Sequence, residues 1–108
     1  MKASQIISNA IKNMSPESAY GFQYGIGLDR IIGTMVCCIA SCIDMHHAKY
    51  GSHLEYNESI YPIIEQQIDG VKQLLKLDSV RQLIGGVDCD KVSSLLDDLS
   101  ALSKLHFN

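Results

Sequence analysis

The sequence predicts an all-α fold, a compact bundle of five to six helices packed around a central hydrophobic helix at about residues 28–50. Three observations carry this prediction. Apolar residues recur at helical spacing across nearly the whole chain. No stretch alternates strictly between apolar and polar side chains between hairpin turns, so no strand pattern competes. The interruptions, such as Ser15-Pro16-Glu17 and Gly85-Gly86, are residues that start and stop helices.

Each element follows in order. Ile7, Ile11 and Met14 form the stripe of a first helix, with Ile6 and Ala10 beside it. Ser15 caps a second helix, Pro16 takes its first position and Glu17 places an acid in its first turn. Gly21, Gly25 and Gly27 keep that helix short. The third segment carries one stripe of Leu28, Ile31, Met35, Cys38, Cys42 and Met45 and a second of Ile32, Val36, Ile39 and Ile43. Gly33, Cys37 and Ala40 make a face of small side chains that lets a neighbour approach closely. A helix apolar on most sides is expected to be surrounded by others. Residues 51–59 are polar and read as a connection, with Pro62 in the first turn of a fourth helix. That helix is marked by Ile60, Ile64, Ile68, Val71 and Leu75. Asp78-Ser79 caps a short segment ending at Gly85-Gly86, and Asp88 or Asp90 caps a last helix with the stripe Val92, Leu95, Leu96, Leu99 and Leu102.

At 108 residues the chain is expected to be a single helical domain, long enough to bury a core without disulfides or metal. Apolar residues at 46% and charged residues at 19% exclude an intrinsically disordered composition. A net charge of −3 argues against a general nucleic-acid binder, which must neutralise phosphates. Ser8, Asn9, Lys12 and Asn13 interrupt any secretory h-region. The longest uncharged run, Ile31 to Ile43, spans roughly 20 Å as a helix, too short for a bilayer core. A cytoplasmic protein away from membranes is expected. Three of the four cysteines crowd into residues 37–42, unlike the loop-spaced cysteines of secreted scaffolds, so reduced thiols are expected.

Several groupings invite a chemical reading. Cys38, Cys42 and His46 stand at i, i+4 and i+8, which brings soft ligands suited to zinc or monovalent copper along one helical face. The segment resembles helical copper-storage proteins in its Cys-x-x-x-Cys step, but those ladders recur on several helices and this one does not. The plainer reading is free cysteine as a small core hydrophobe, and no cofactor is expected. Gly25-Ile26-Gly27 opens a helix with no strand before it, which is a helix stop rather than a phosphate cradle. His53 with Glu55 and Glu58 reads as loop polarity. No catalytic triad, ligand set or phosphate loop emerges, and an enzyme is not expected.

The segment from Tyr50 to Asp69 stands apart. Tyr50, Tyr56 and Tyr61 are interleaved with Glu55 and Glu58, and Glu65 and Asp69 follow. Residues 55–78 carry a balance of −3, while the rest of the chain nets to zero. Tyrosine offers large contact area at low entropic cost, and flanking acids steer a basic partner. Tyr56, Tyr61, Glu55, Glu58, Glu65 and Asp69 are therefore the expected partner-binding residues.

By size, helical pattern and this acid–tyrosine segment, the chain resembles small bacterial immunity proteins, including those paired with contact-dependent growth-inhibition nucleases. The resemblance implies a non-enzymatic inhibitor that occludes the basic active-site cleft of a nuclease toxin. It rests on overall character and carries no residue-level motif. Two alternatives remain: a zinc- or copper-binding protein using Cys38, Cys42 and His46, and a helical homodimer that covers the 28–50 helix with a second copy.

Overall fold

A computed structural model describes the backbone of residues 2–51 and 54–105, with side chains at 2–51 and 59–104. The fold is all-α: α1 (Ala3–Lys12), α2 (Pro16–Tyr24), α3 (Leu28–Tyr50), α4 (Leu54–Lys76), α5 (Asp78–Ile84) and α6 (Gly86–Leu105). No single described helix is long and apolar enough to cross a membrane, and α2 with α3 passes that test only jointly, across a 68° bend.

The core draws on every helix. Ala3 and Ile7 come from α1, Phe22 from α2, and Ile32, Val36, Ile39, Ala40 and Ile43 from α3. Ile64, Ile68, Val71 and Leu75 come from α4 and Val80 from α5. All five residues of the expected α6 stripe are buried. α3 packs against each of the other five helices, so it is central as expected.

Two side chains fix how the elements meet. Ser15 accepts a hydrogen bond from the Ser18 N–H at 3.3 Å and caps α2, with Pro16 at the first helical position. α1 lacks an acid in its first turn and is anchored from outside. Asp44, in the C-terminal third of α3, accepts from the Ala3 N–H at 2.7 Å and the Ser4 N–H at 3.0 Å. A carboxylate satisfying two free N–H groups at a helix N-terminus is favoured by charge and by geometry. Asp44→Ala should therefore lower stability by about 1–2 kcal/mol, read from the urea midpoint. An unchanged midpoint would mean that α1 docks without this anchor.

The structure corrects four expectations, the first being that Asp78-Ser79 caps α5: both residues lie inside that helix, and its N-cap is Leu77 with no side-chain hydrogen bond. α3 is not wrapped on all sides. Its Ile and Val stripe is buried, but Ile31, Cys38, Cys42 and Met45 of the other stripe are exposed. The β-branched side chains fill the core, and no helix is left over to cover the Cys and Met side. The polar stretch after Gly51 is not a connection up to residue 59, because α4 already begins at Leu54 and holds Pro62 well inside it. Residues 54–61 contain no Gly or Pro, and polarity alone does not stop a helix. Finally, α6 starts at Gly86, ahead of both aspartates expected to cap it. Asp88 instead accepts from the Ser18 hydroxyl of α2, and Asp90 pairs with Arg81 of α5 at 3.1 Å. These acids tie neighbouring helices to α6.

Candidate partner-binding surface

The acid–tyrosine side of α4 meets α6. Tyr61 is half-buried and lies against Lys104, whose ammonium is 5.6 Å from the ring centroid. The hydrogen bond to Tyr61, then its charge and that of Glu65, push the Lys104 pKa upward. Glu65 accepts from the Ser100 hydroxyl, and two turns further along α4 Lys72 pairs with Asp97. Tyr61, Glu65 and Lys72 thus form a polar ladder along the antiparallel α4–α6 seam. Asp69 is exposed on the outer side of α4. The side chains of Glu55, Tyr56 and Glu58, and the whole of His53, lie outside the described residues.

The metal alternative finds its ligands in two different settings. Cys38 and Cys42 are exposed, whereas the His46 Nε2 is buried without a hydrogen-bond partner and its ring lies 4.7 Å from that of Tyr50. Among the described residues no three His, Cys, Asp or Glu side chains converge on a point that could hold a metal ion. The remaining cysteines follow the plainer reading. Cys89 is fully buried and Cys37 half-buried, and burial raises the pKa of both thiols.

An exposed tyrosine surface with acidic neighbours does exist, on α2. Phe22 is buried and pins this helix to α3, where its carbonyl lies over Gly33. That contact turns the opposite side of α2 outward. Tyr20 and Tyr24 are 65% and 67% exposed, with ring centroids 5.7 Å apart. Glu17, Tyr20 and Tyr24 follow at i, i+3 and i+7 and share one strip. The loop beyond α2 adds Ile26, which is fully exposed.

A cavity of about 380 Å³ lies between α2, the start of α3 and the α5–α6 corner, and it shares Glu17 with this strip. Its charged lining residues are Glu17, Asp29 and Asp88, all acids. Its apolar walls include Met14, Phe22 and Ile32. The Asp29 carboxylate rests directly against the bare Cα of Gly21, a place that any side chain there would take. Asp29 also accepts from the Arg30 N–H at 3.0 Å, while the Arg30 guanidinium points to the Phe22 carbonyl at 3.5 Å. Apolar walls can take an aliphatic stem, and carboxylates can meet an ammonium or guanidinium.

Sequence reasoning passed over Tyr20 and Tyr24 because the glycines around them were read only as a helix stop. The available signal was their i, i+4 spacing, combined with Phe22 as the one large residue left to face the core. A second concavity, a groove of about 820 Å³ between α1 and α6, has an apolar floor including Ile6, Leu95 and Leu102. Its rim carries charges of both signs, Asp90, Lys91 and Asp98, so it selects no particular partner charge. Comparison with known proteins finds no matching family model, no matching curated protein and no matching solved structure.

Proposed function

We propose that the protein is a non-enzymatic binding module that docks a basic protein partner through α2, with Tyr20, Tyr24 and Ile26 as the apolar contact and the Glu17–Asp29–Asp88 cavity as the receptor for a Lys or Arg side chain. The observation that carries this reading is that Glu17 belongs both to the exposed strip with Tyr20 and Tyr24 and to the lining of a cavity whose charged residues are all acids. Tyrosines of this kind supply binding energy at interface centres. The acids speed encounter with a basic surface and disfavour an acidic one.

A nuclease toxin is the partner that best fits this chemistry, because its substrate cleft must be basic to hold phosphates. The protein would then act as a cytoplasmic immunity protein, its carboxylates standing where phosphates would bind. Asp69 and the polar face of α4 can extend the acidic field, but the anchoring contact is assigned to α2.

The test is site-specific photo-crosslinking in the source cells from positions 20 and 24, with position 73 on the outer side of α4 as control. Positions 20 and 24 should capture a basic protein that position 73 does not. The Tyr20→Ala/Tyr24→Ala pair should weaken its binding by about 10- to 100-fold with an unchanged urea midpoint. Glu17→Lys should flatten the salt dependence of binding. If the captured protein is a nuclease, adding the immunity protein should abolish its activity. Wild-type affinity in the tyrosine pair, or capture of an acidic partner, would overturn the reading.

A further inference from the structure

Free cysteine is among the most buried residue types, since its thiol behaves as a small apolar group. Cys89 and Cys37 follow that rule, one buried in the core and one half-buried. Cys38 and Cys42 break it. Both are exposed, one turn apart on the same face of α3, and Met45 follows on that face with 71% of its surface open. The three sulfur side chains stand at i, i+4 and i+7.

The spacing decides what the two thiols can do. Residues four apart on a helix have Cβ atoms about 5–6 Å from each other. A disulfide needs Cβ atoms within about 3.5–4.5 Å, so Cys38 and Cys42 do not bridge while α3 is intact. Two sulfurs on opposite sides of one metal ion, with bonds of about 2.3 Å, stand roughly 4–5 Å apart. Rotation of each thiol about its Cα–Cβ bond closes the difference. Long helical side chains lean back over the preceding turn, which brings the Met45 thioether towards Cys42.

The donors also select the metal. Thiolate and thioether are soft ligands and favour monovalent copper. Zinc takes four ligands from Cys, His and carboxylates, and among the described residues no third group of those kinds completes the pair. Hard cations find no carboxylate here, because the one acid of α3 between Arg30 and Lys49, Asp44, is held at the N-terminus of α1. The His46 Nε2 is buried, with its ring beside Tyr50. The third donor that helical spacing alone offers to imidazole falls instead to Met45. We propose that Cys38, Cys42 and Met45 form a three-sulfur site for a single monovalent copper ion. Binding exchanges two thiol protons, released to solvent, for two copper–sulfur bonds, and the Met45 thioether adds a third without losing a proton. Copper enters and leaves as Cu(I), so no oxidant or reductant takes part. The site shares no residue with the α2 surface, and neither reading rests on the other.

The test is anaerobic titration of the full chain, reduced and free of metal, with Cu(I) in competition with the chelator bicinchoninate. One ion should bind per chain, with sulfur-to-copper charge-transfer absorption in the ultraviolet. Cys38→Ser and Cys42→Ser, both at exposed positions, should each weaken binding at least about 100-fold with native circular dichroism. Met45→Leu keeps the volume and removes the thioether, and should weaken binding about tenfold. Cys37→Ala and His46→Gln should bind as wild type does. Zinc at the same concentrations should not reach one ion per chain. Wild-type affinity in either serine variant or in Met45→Leu would overturn the proposal. So would binding lost in a natively folded His46→Gln or Cys37→Ala chain, one copper shared by two chains, or stoichiometric zinc.

Discussion

Replacing Gly33 with leucine should lower the stability of the protein by about 3 kcal/mol, the upper end of the usual cost of overpacking. A Cβ at this position would sit 2.1 Å from the Phe22 carbonyl oxygen and 3.0 Å from its carbon. These are backbone atoms of α2 and cannot rotate aside as a side chain would. α2 must lift off α3, and Phe22, only 3% exposed, must leave the core with it. Gly70→Ala is the matching control. It lies in the interior of α4, where a Cβ would meet nothing within 4 Å. Alanine there should raise stability by about 0.5–1 kcal/mol by restricting the unfolded chain and favouring the helix. Urea midpoints of the two variants should move in opposite directions. A Gly33→Leu midpoint equal to that of wild type would mean that α2 is not seated on α3 as described, and the placement of Tyr20 and Tyr24 would go with it.

Gly33 also shows what the sequence could and could not reveal. The small face of α3 was legible as a site of close approach, and at Gly33 the backbone of α2 makes that approach. The Val92-to-Leu102 stripe was legible because a single apolar face on a helix has only one place to go. The outer side of α3 was not, because two of its faces were equally apolar by composition. Which one is buried depends on how many helices remain to cover it, a property of the whole bundle. The start of α4 was misplaced for a related reason. A polar run between two apolar ones reads as a connection, yet without Gly or Pro it continues as helix. The acid–tyrosine chemistry was read on α4, where the side chains of Tyr61, Glu65 and Asp69 are the described ones. There Tyr61 and Glu65 turn to Lys104 and Ser100 of α6, while an exposed version formed on α2.

Leu99→Ala should cost about 3–4 kcal/mol, within the range for truncating a buried leucine. Leu99 has no exposed surface and lies in the stripe of α6, the helix that packs against α1, α3, α4 and α5. Removing its isobutyl group leaves a void that several helices would have to close together. Because each is held elsewhere, by Asp44 at α1 and by the polar ladder at α4, the void should stay largely open. That places the cost above the bare transfer free energy of the lost carbons. Against a typical total of about 5–15 kcal/mol, the loss should lower Tm by more than about 10 °C. Leu83→Ala separates burial from helix propensity. Leu83 is also helical, in α5, but it is 74% exposed, and its truncation should change stability by no more than about 0.5 kcal/mol. Leu99→Met should recover most of the loss, since it restores volume without restoring shape. Equal effects at positions 83 and 99 would mean that the stripe of α6 does not carry the core, and the packing that holds α3 at the centre of the bundle would have to be redrawn.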